Sequence, residues 1–108
     1  MPDNIIVLDE ANFDQETRKE SPIVVDFWAT WCAPCRLIVP HLEALAKEYE
    51  GRARVGKVDI DQNGSIATRF LIRSIPTLLV FKDGQALDQL IGAVSKDSIQ
   101  QLIDKHLS

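Results

Sequence analysis

The chain has 108 residues, 45% of them hydrophobic and 26% charged, with a net charge of -4. That length suits one domain over residues 1–108 with a single core, and the acidity leaves no electrostatic footprint for nucleic acid or anionic lipid. No apolar run approaches the roughly 18 residues of a membrane span, and the opening MPDNIIVLDE lacks the basic start and long apolar stretch of a secretory leader, so a cytoplasmic protein is the expectation.

In chain order, NIIVL (4–8) is a short β-branched run and predicts a first strand. ANFDQETRKE (11–20) predicts a short helix with Asn12 as its N-cap. PIVVDFW (22–28) is almost continuously apolar, as a central strand covered on both faces would be. From Cys35 to Tyr49 the period changes: Ile38, Leu42, Leu45, Ala46 and Tyr49 share one helical face, opposite Arg36, Glu43, Lys47 and Glu48. Pro40 lies inside that helix and should kink it, and Gly51 marks its end. ARVGKVDID (53–61) predicts another strand and residues 64–70 a short, poorly patterned helix. Two strands should flank Asp83-Gly84, a tight-hairpin dipeptide, within residues 76–92. A last helix spans 95–107, with Ser95 as N-cap, Asp97 in the first turn and Ile99, Leu102 and Ile103 as its buried stripe. The order βαβαβαββα implies an α/β fold: a mixed five-stranded sheet flanked by four helices, parallel at the front with an antiparallel edge.

The chemistry centres on the two cysteines, Cys32 and Cys35, set three apart behind the apolar strand. As a structural staple they would do little, because closing so small a ring stabilises by only roughly 2 kcal/mol and a cytosol keeps such thiols reduced. As half of a zinc tetrahedron they lack partners, since the only histidines, His41 and His106, are not paired with each other at ligand spacing; no metal site is expected. A pair of ordinary buried thiols would not account for the C-x-x-C spacing. A redox dithiol fits: Cys32 closes a strand-to-helix turn, Cys35 follows one helical turn on, and both sulfurs share a face within bonding reach. Pro34 is tolerated in the first turn, and the free N–H groups and helix dipole favour a Cys32 thiolate. Cys32 is then expected to be the exposed nucleophile and Cys35 the deeper resolving thiol. Asp26 lies in the apolar strand six residues before Cys32. It is either a strand-end carboxylate reaching solvent or a buried proton acceptor with a raised pKa.

FWATWCAPCR resembles the active-site segment of the thioredoxin family, and KVDIDQN (57–63), IRSIPTLLVFKDG (72–84) and IGAVSK (91–96) follow in that family's order and spacing, so the likeness covers essentially the whole chain. The resemblance implies a general protein disulfide reductase with no bound cofactor, recycled by a thioredoxin reductase that uses FAD and NADPH, and acting as a monomer on disulfide-containing proteins. It implies that Asp26 is the buried proton acceptor for Cys35, that Lys57 on the neighbouring strand tunes it, and that the Ile75–Pro76 bond is cis beside the cysteines; read from the sequence alone, Lys57 fits a solvated strand-end lysine equally well. A thiol pKa near 7, the figure known for thioredoxin itself, is consistent with the dipole contribution. Trp31, Ala33, Pro34, Ile60, Ile75, Gly92, Ala93 and Val94 would form an apolar platform for protein substrates. Trp28 is assigned to the core, and His41 and His106 to solvated helix surface. The chain departs from the family at Ala33, Leu71 and Ser74, where glycine is common. Alternative functions are a disulfide oxidase or isomerase of the same fold, which needs an oxidising compartment, and a binding subunit that uses the fold without the thiols.

Overall fold

β-branched and aromatic runs place the five strands, and in the computed structural model, which describes residues 4–107, they form one sheet in the order β1-β3-β2-β4-β5. The strands are β1 (Ile5–Val7), β2 (Ile23–Trp28), β3 (Arg54–Asp59), β4 (Thr77–Lys82) and β5 (Gln85–Ile91). β1 and β2 each run parallel to β3, whereas β4 is antiparallel to both β2 and β5. The helices are α1 (Phe13–Thr17), α2 (Ala33–Glu48), α3 (Gly64–Arg69) and α4 (Lys96–Lys105).

The run at 22–28 is apolar because β2 is the middle strand, buried on both faces. Val24 packs with Ile38, Leu42 and Leu45 of α2 and Ile99 and Ile103 of α4 on one side. Val25 and Phe27 pack with Phe13, Ile66 and Phe81 on the other. Each fully buried aliphatic or aromatic side chain contributes about 1.5–3 kcal/mol, so the two layers fix β2 from both sides. Asp26 is therefore the one carboxylate that this strand carries into the interior, at 3% exposure.

α2 continues as one helix through Pro40. Pro40 is exposed, and it takes from the helix the donor that would have bonded the Arg36 carbonyl. Gly51, with φ +88, takes the chain out after the C-cap Tyr49. Asp83 and Gly84 both have positive φ, 53 and 82, the signature of a type I′ hairpin between β4 and β5. Ser95 caps α4 through its side chain, accepting from Ser98 N–H. Asn12 precedes α1 without capping it: its side chain accepts from Asp9 N–H and donates to the Val7 carbonyl.

α3 ends on an unusual residue. Leu71 lies at φ 55 and is 72% exposed, while Leu71 N–H bonds the Thr68 carbonyl and Ile72 N–H the Ala67 carbonyl. That bond pair is a Schellman motif, whose left-handed position normally takes glycine.

Candidate active site

β2 ends at Trp28, and after a short turn α2 begins at Ala33, so Cys32 occupies the N-cap. Its extended backbone and its Sγ, which accepts from Cys35 N–H at 3.2 Å, do what a serine or aspartate does at other helix starts. Pro34 sits in the first turn, where its missing donor costs nothing. One helical turn brings Cys35 back over Cys32, and the two form a disulfide with Cα atoms 5.3 Å apart. A thiolate formed at Cys32 on reduction would face the free N–H groups and positive end of a 16-residue helix.

In this oxidised state Cys32 is only 4% exposed, against 2% for Cys35, so the expectation of an openly exposed nucleophile is corrected. Ala29 is buried in the same cluster as the two cysteines, with Ile60 and Ile75 packed against it. The Ile75 carbonyl lies 3.8 Å from the Cys32 sulfur. The Ile75–Pro76 bond is cis. The Ile75 segment is braced by Thr77 Oγ1, which donates to the Ser74 carbonyl at 2.6 Å, and by Gly92 N–H, which donates to the Pro76 carbonyl at 2.8 Å.

Asp26 lies mid-strand and not at a solvent-facing end. Burial raises its pKa from 3.8 to about 7, and the positive charge of Lys57 offsets part of that rise. Its Oδ1 has no hydrogen-bond partner among the described residues, and the same is true of Trp28 Nε1. Asp26 and Lys57 are register partners across β2 and β3, yet no ion pair joins them. The Lys57 ammonium instead sits 5.4 Å over the Trp28 ring, so it acts on Asp26 through space. Trp28 is half-buried and joins the cysteine cluster at its edge.

Around the sulfurs, Trp31 is 66% exposed. Ala33, Pro34 and Ala93 are exposed as well, and Ile60, Ile75 and Gly92 are half-buried. Val94, expected on the same platform, packs instead against the α2–α4 core. His106, expected to be solvated, has Nε2 3.0 Å from Asp88 and a side chain 16% exposed. His41 is half-buried on α2. No group of three or more metal-ligating side chains gathers among the described residues.

Two residues at the site were not singled out from sequence. Asp61 Oδ2 accepts from Trp31 Nε1 at 2.9 Å and holds the exposed indole. Asp61 is itself fixed in a turn in which the Asp59 carboxylate accepts its N–H. Arg36 reaches back from α2 to donate to the Thr30 carbonyl at 2.5 Å, bracing the turn that carries Trp31 and Cys32. Both contacts join residues whose meeting depends on the folded turn, and neither has a local sequence signal.

A C-x-x-C disulfide at a helix start, with a buried carboxylate on the neighbouring strand of an α/β sheet, is the arrangement of a thiol–disulfide oxidoreductase. The family model for thioredoxin matches residues 4–105. Thioredoxins of Staphylococcus aureus strains Mu50 and MW2 are each 48% identical over 104 residues, covering 95% of this chain and 98% of theirs. The solved structure of a point-mutant thioredoxin from Halobacterium salinarum NRC-1 superposes with a TM-score of 0.90 at 30% identity, over 99% of this chain and 94% of that one. The chain belongs to the thioredoxin family and has its fold and its thiol–disulfide reductase activity.

Proposed function

We propose that the chain, as one domain over residues 1–108, reduces disulfides of other proteins through Cys32 as nucleophile and Cys35 as resolving thiol. What carries the assignment is the placement of Cys32: an N-cap sulfur that receives a backbone N–H at the positive end of α2, with Cys35 one turn behind. The reduced Cys32 thiolate attacks one sulfur of the target disulfide and expels the other as a thiolate, which takes a proton from water. Cys35 gives its proton to Asp26 and attacks Cys32 Sγ, releasing the second target thiol and leaving the intramolecular disulfide. The raised pKa of Asp26 suits it to take and return that proton near neutrality. Lys57 keeps the ionised form within reach by its charge.

Trp31, Ala33, Pro34, Ile60, Ile75, Gly92 and Ala93 form the contact surface, and Pro76 holds the Ile75 backbone where an extended target segment can pair with it. An apolar surface with few polar anchors suits polypeptides better than small polar disulfides. By family likeness the disulfide is returned to the dithiol by a thioredoxin reductase drawing on FAD and NADPH, the chain itself carrying no cofactor. It works as a monomer in the cytoplasm, without nucleic acid or membrane; no helix among the described residues is long and apolar enough to cross a bilayer. The test is trapping. Cys35→Ser should accumulate a covalent, dithiothreitol-sensitive adduct with a disulfide-bearing protein such as insulin, and Cys32→Ser should not. Adducts formed equally through Cys35 would overturn the division of roles.

A further inference from the structure

Two cavities meet at Asp26. The smaller one, about 100 Å³, is bounded by Asp26, Trp28, Ala29, Thr30, Cys35 and Val39 together with Lys57, and Arg36 lies along it. The larger one, about 250 Å³, lies between β1 and α2 and is bounded by Val7, Asp26, Val39, Leu42, Glu43 and Lys57. Asp26, Val39 and Lys57 belong to both. The rim of the larger one is exposed: Val7 is 64% exposed, Val39 41%, and Glu43 is on the surface. Trp31, Ile60, Ile75 and Gly92, which surround the sulfurs, line neither cavity. We infer that Asp26 exchanges its proton with solvent through this flank between β1 and α2, past Val39, and not across the sulfur face.

The inference deepens the proposed role of Asp26 and rests on it. In the resolving step the Cys35 proton moves to the Asp26 carboxylate and the Cys35 thiolate bonds to Cys32 Sγ. The bond from Cys32 to the target breaks, and its electron pair leaves with the target sulfur, which takes a proton from water. Two electrons have then passed to the target, and Asp26 holds a proton that it must lose before it can serve again. At that moment the target still covers Trp31, Ile75 and the sulfurs, and the sulfurs are nearly inaccessible even without it.

Trp31 and Ile75 line neither cavity, so a target resting on them leaves the flank between β1 and α2 uncovered. Asp26 Oδ1 and Trp28 Nε1 are polar atoms without a protein partner among the described residues, and Asp26 lines both cavities and Trp28 the smaller one. Each cavity far exceeds the roughly 10–15 Å³ of probe-occupied volume that one water needs. The groups facing Asp26 are Lys57 from β3, Arg36, Glu43 and Cys35 from α2, Leu78 from β4, and Ile5 and Val7 from β1. Besides Asp26, Glu43 is the one carboxylate lining the larger cavity, where it can accept a hydrogen bond from a bridging water.

The experiment follows the carboxylic C=O stretch of Asp26 by time-resolved infrared after a photoacid pH jump, with the band assigned by its loss in Asp26→Asn. Reduced wild type should relax at the same rate, within about twofold, whether Cys32 is free or capped by a bulky aromatic maleimide, since waters reach the carboxyl from the flank. Val39→Phe should slow relaxation about tenfold in both forms, because the larger side chain narrows the passage that bridging waters use at the wall shared by the two cavities. Val39→Met carries the same expectation if the phenylalanine variant does not fold, and Val39→Ala should not slow exchange. Slowing by the Cys32 cap, or unslowed exchange in a folded Val39→Phe or Val39→Met protein, overturns the inference. This readout follows proton exchange at Asp26 whether or not Cys35 uses it, so it stands apart from failure of the catalytic role, which would show as unchanged mixed-disulfide resolution in Asp26→Asn.

Discussion

Replacing Asp26 with asparagine should stabilise the protein in a strongly pH-dependent way. The carboxyl titrates at about 7 in the fold, against 3.8 ordinarily, because burial disfavours its charged form more than Lys57 favours it. Below pH 3.8 the group is protonated in both the folded and unfolded chains. Between 3.8 and about 7 the unfolded chain has released the proton while the folded chain keeps it, so folding stability falls as pH rises. The slope reaches about 1.36 kcal/mol per pH unit, and across the whole interval the loss is about 4 kcal/mol, constant above it. Asparagine has nearly the same shape and no titration. Urea unfolding of the disulfide forms, run from pH 4 to pH 9, should therefore show little difference at the acid end. The variant's advantage should grow through neutrality to about 4 kcal/mol. Parallel stability curves, or a variant that loses ground as pH rises, would refute the assignment of Asp26 as a buried, desolvated acid.

Other substitutions have equally direct readouts. Leu71→Gly should raise stability by roughly 0.5–1 kcal/mol, because relief of the left-handed strain outweighs the added freedom of the unfolded chain; a lower urea midpoint would contradict it. A Cβ at Gly56 would come within 2.7 Å of Leu8 Cδ1 and 3.1 Å of Ile23 Cδ1. Gly56→Ala should accordingly cost about 1–3 kcal/mol, and an unchanged melting temperature would show that Leu8 gives way freely. Asp61→Ala should free the Trp31 indole and raise KM for a protein disulfide several-fold with kcat less affected, and Asp61→Asn, which keeps an acceptor, should restore most of the loss. An equal effect of the two substitutions would place the role in charge and not in holding the ring.

The order of elements was legible because each is written in local periodicity: the double-sided apolar run of β2, the helical stripe from Ile38 to Tyr49, and the Asp83-Gly84 hairpin. Boundaries were less so. The helix expected over 11–20 contracts to Phe13–Thr17, because Asp9 accepts from Ala11 and Asn12 N–H and draws those residues into a turn. The strand expected over 53–61 stops at Asp59, whose carbonyl is taken by Gln62 and Asn63 N–H at the start of α3. At the site, the cysteine pair was legible from spacing alone, since three residues on a helix superpose. The environment of Asp26 was not: its burial needs α2 laid over β2, and only the fold shows that Lys57 turns to Trp28. Contacts across long separations left no local trace, among them Trp31 with Asp61 and His106 with Asp88.

The central claim, a reducing dithiol at Cys32 and Cys35, is tested most directly by its reduction potential, measured by equilibration against defined dithiothreitol or glutathione ratios. The account predicts a value close to the thioredoxin figure of about -270 mV, displaced by no more than roughly 30 mV by Ala33. A value of about -180 mV or higher, in the range of isomerases and oxidases, would contradict it.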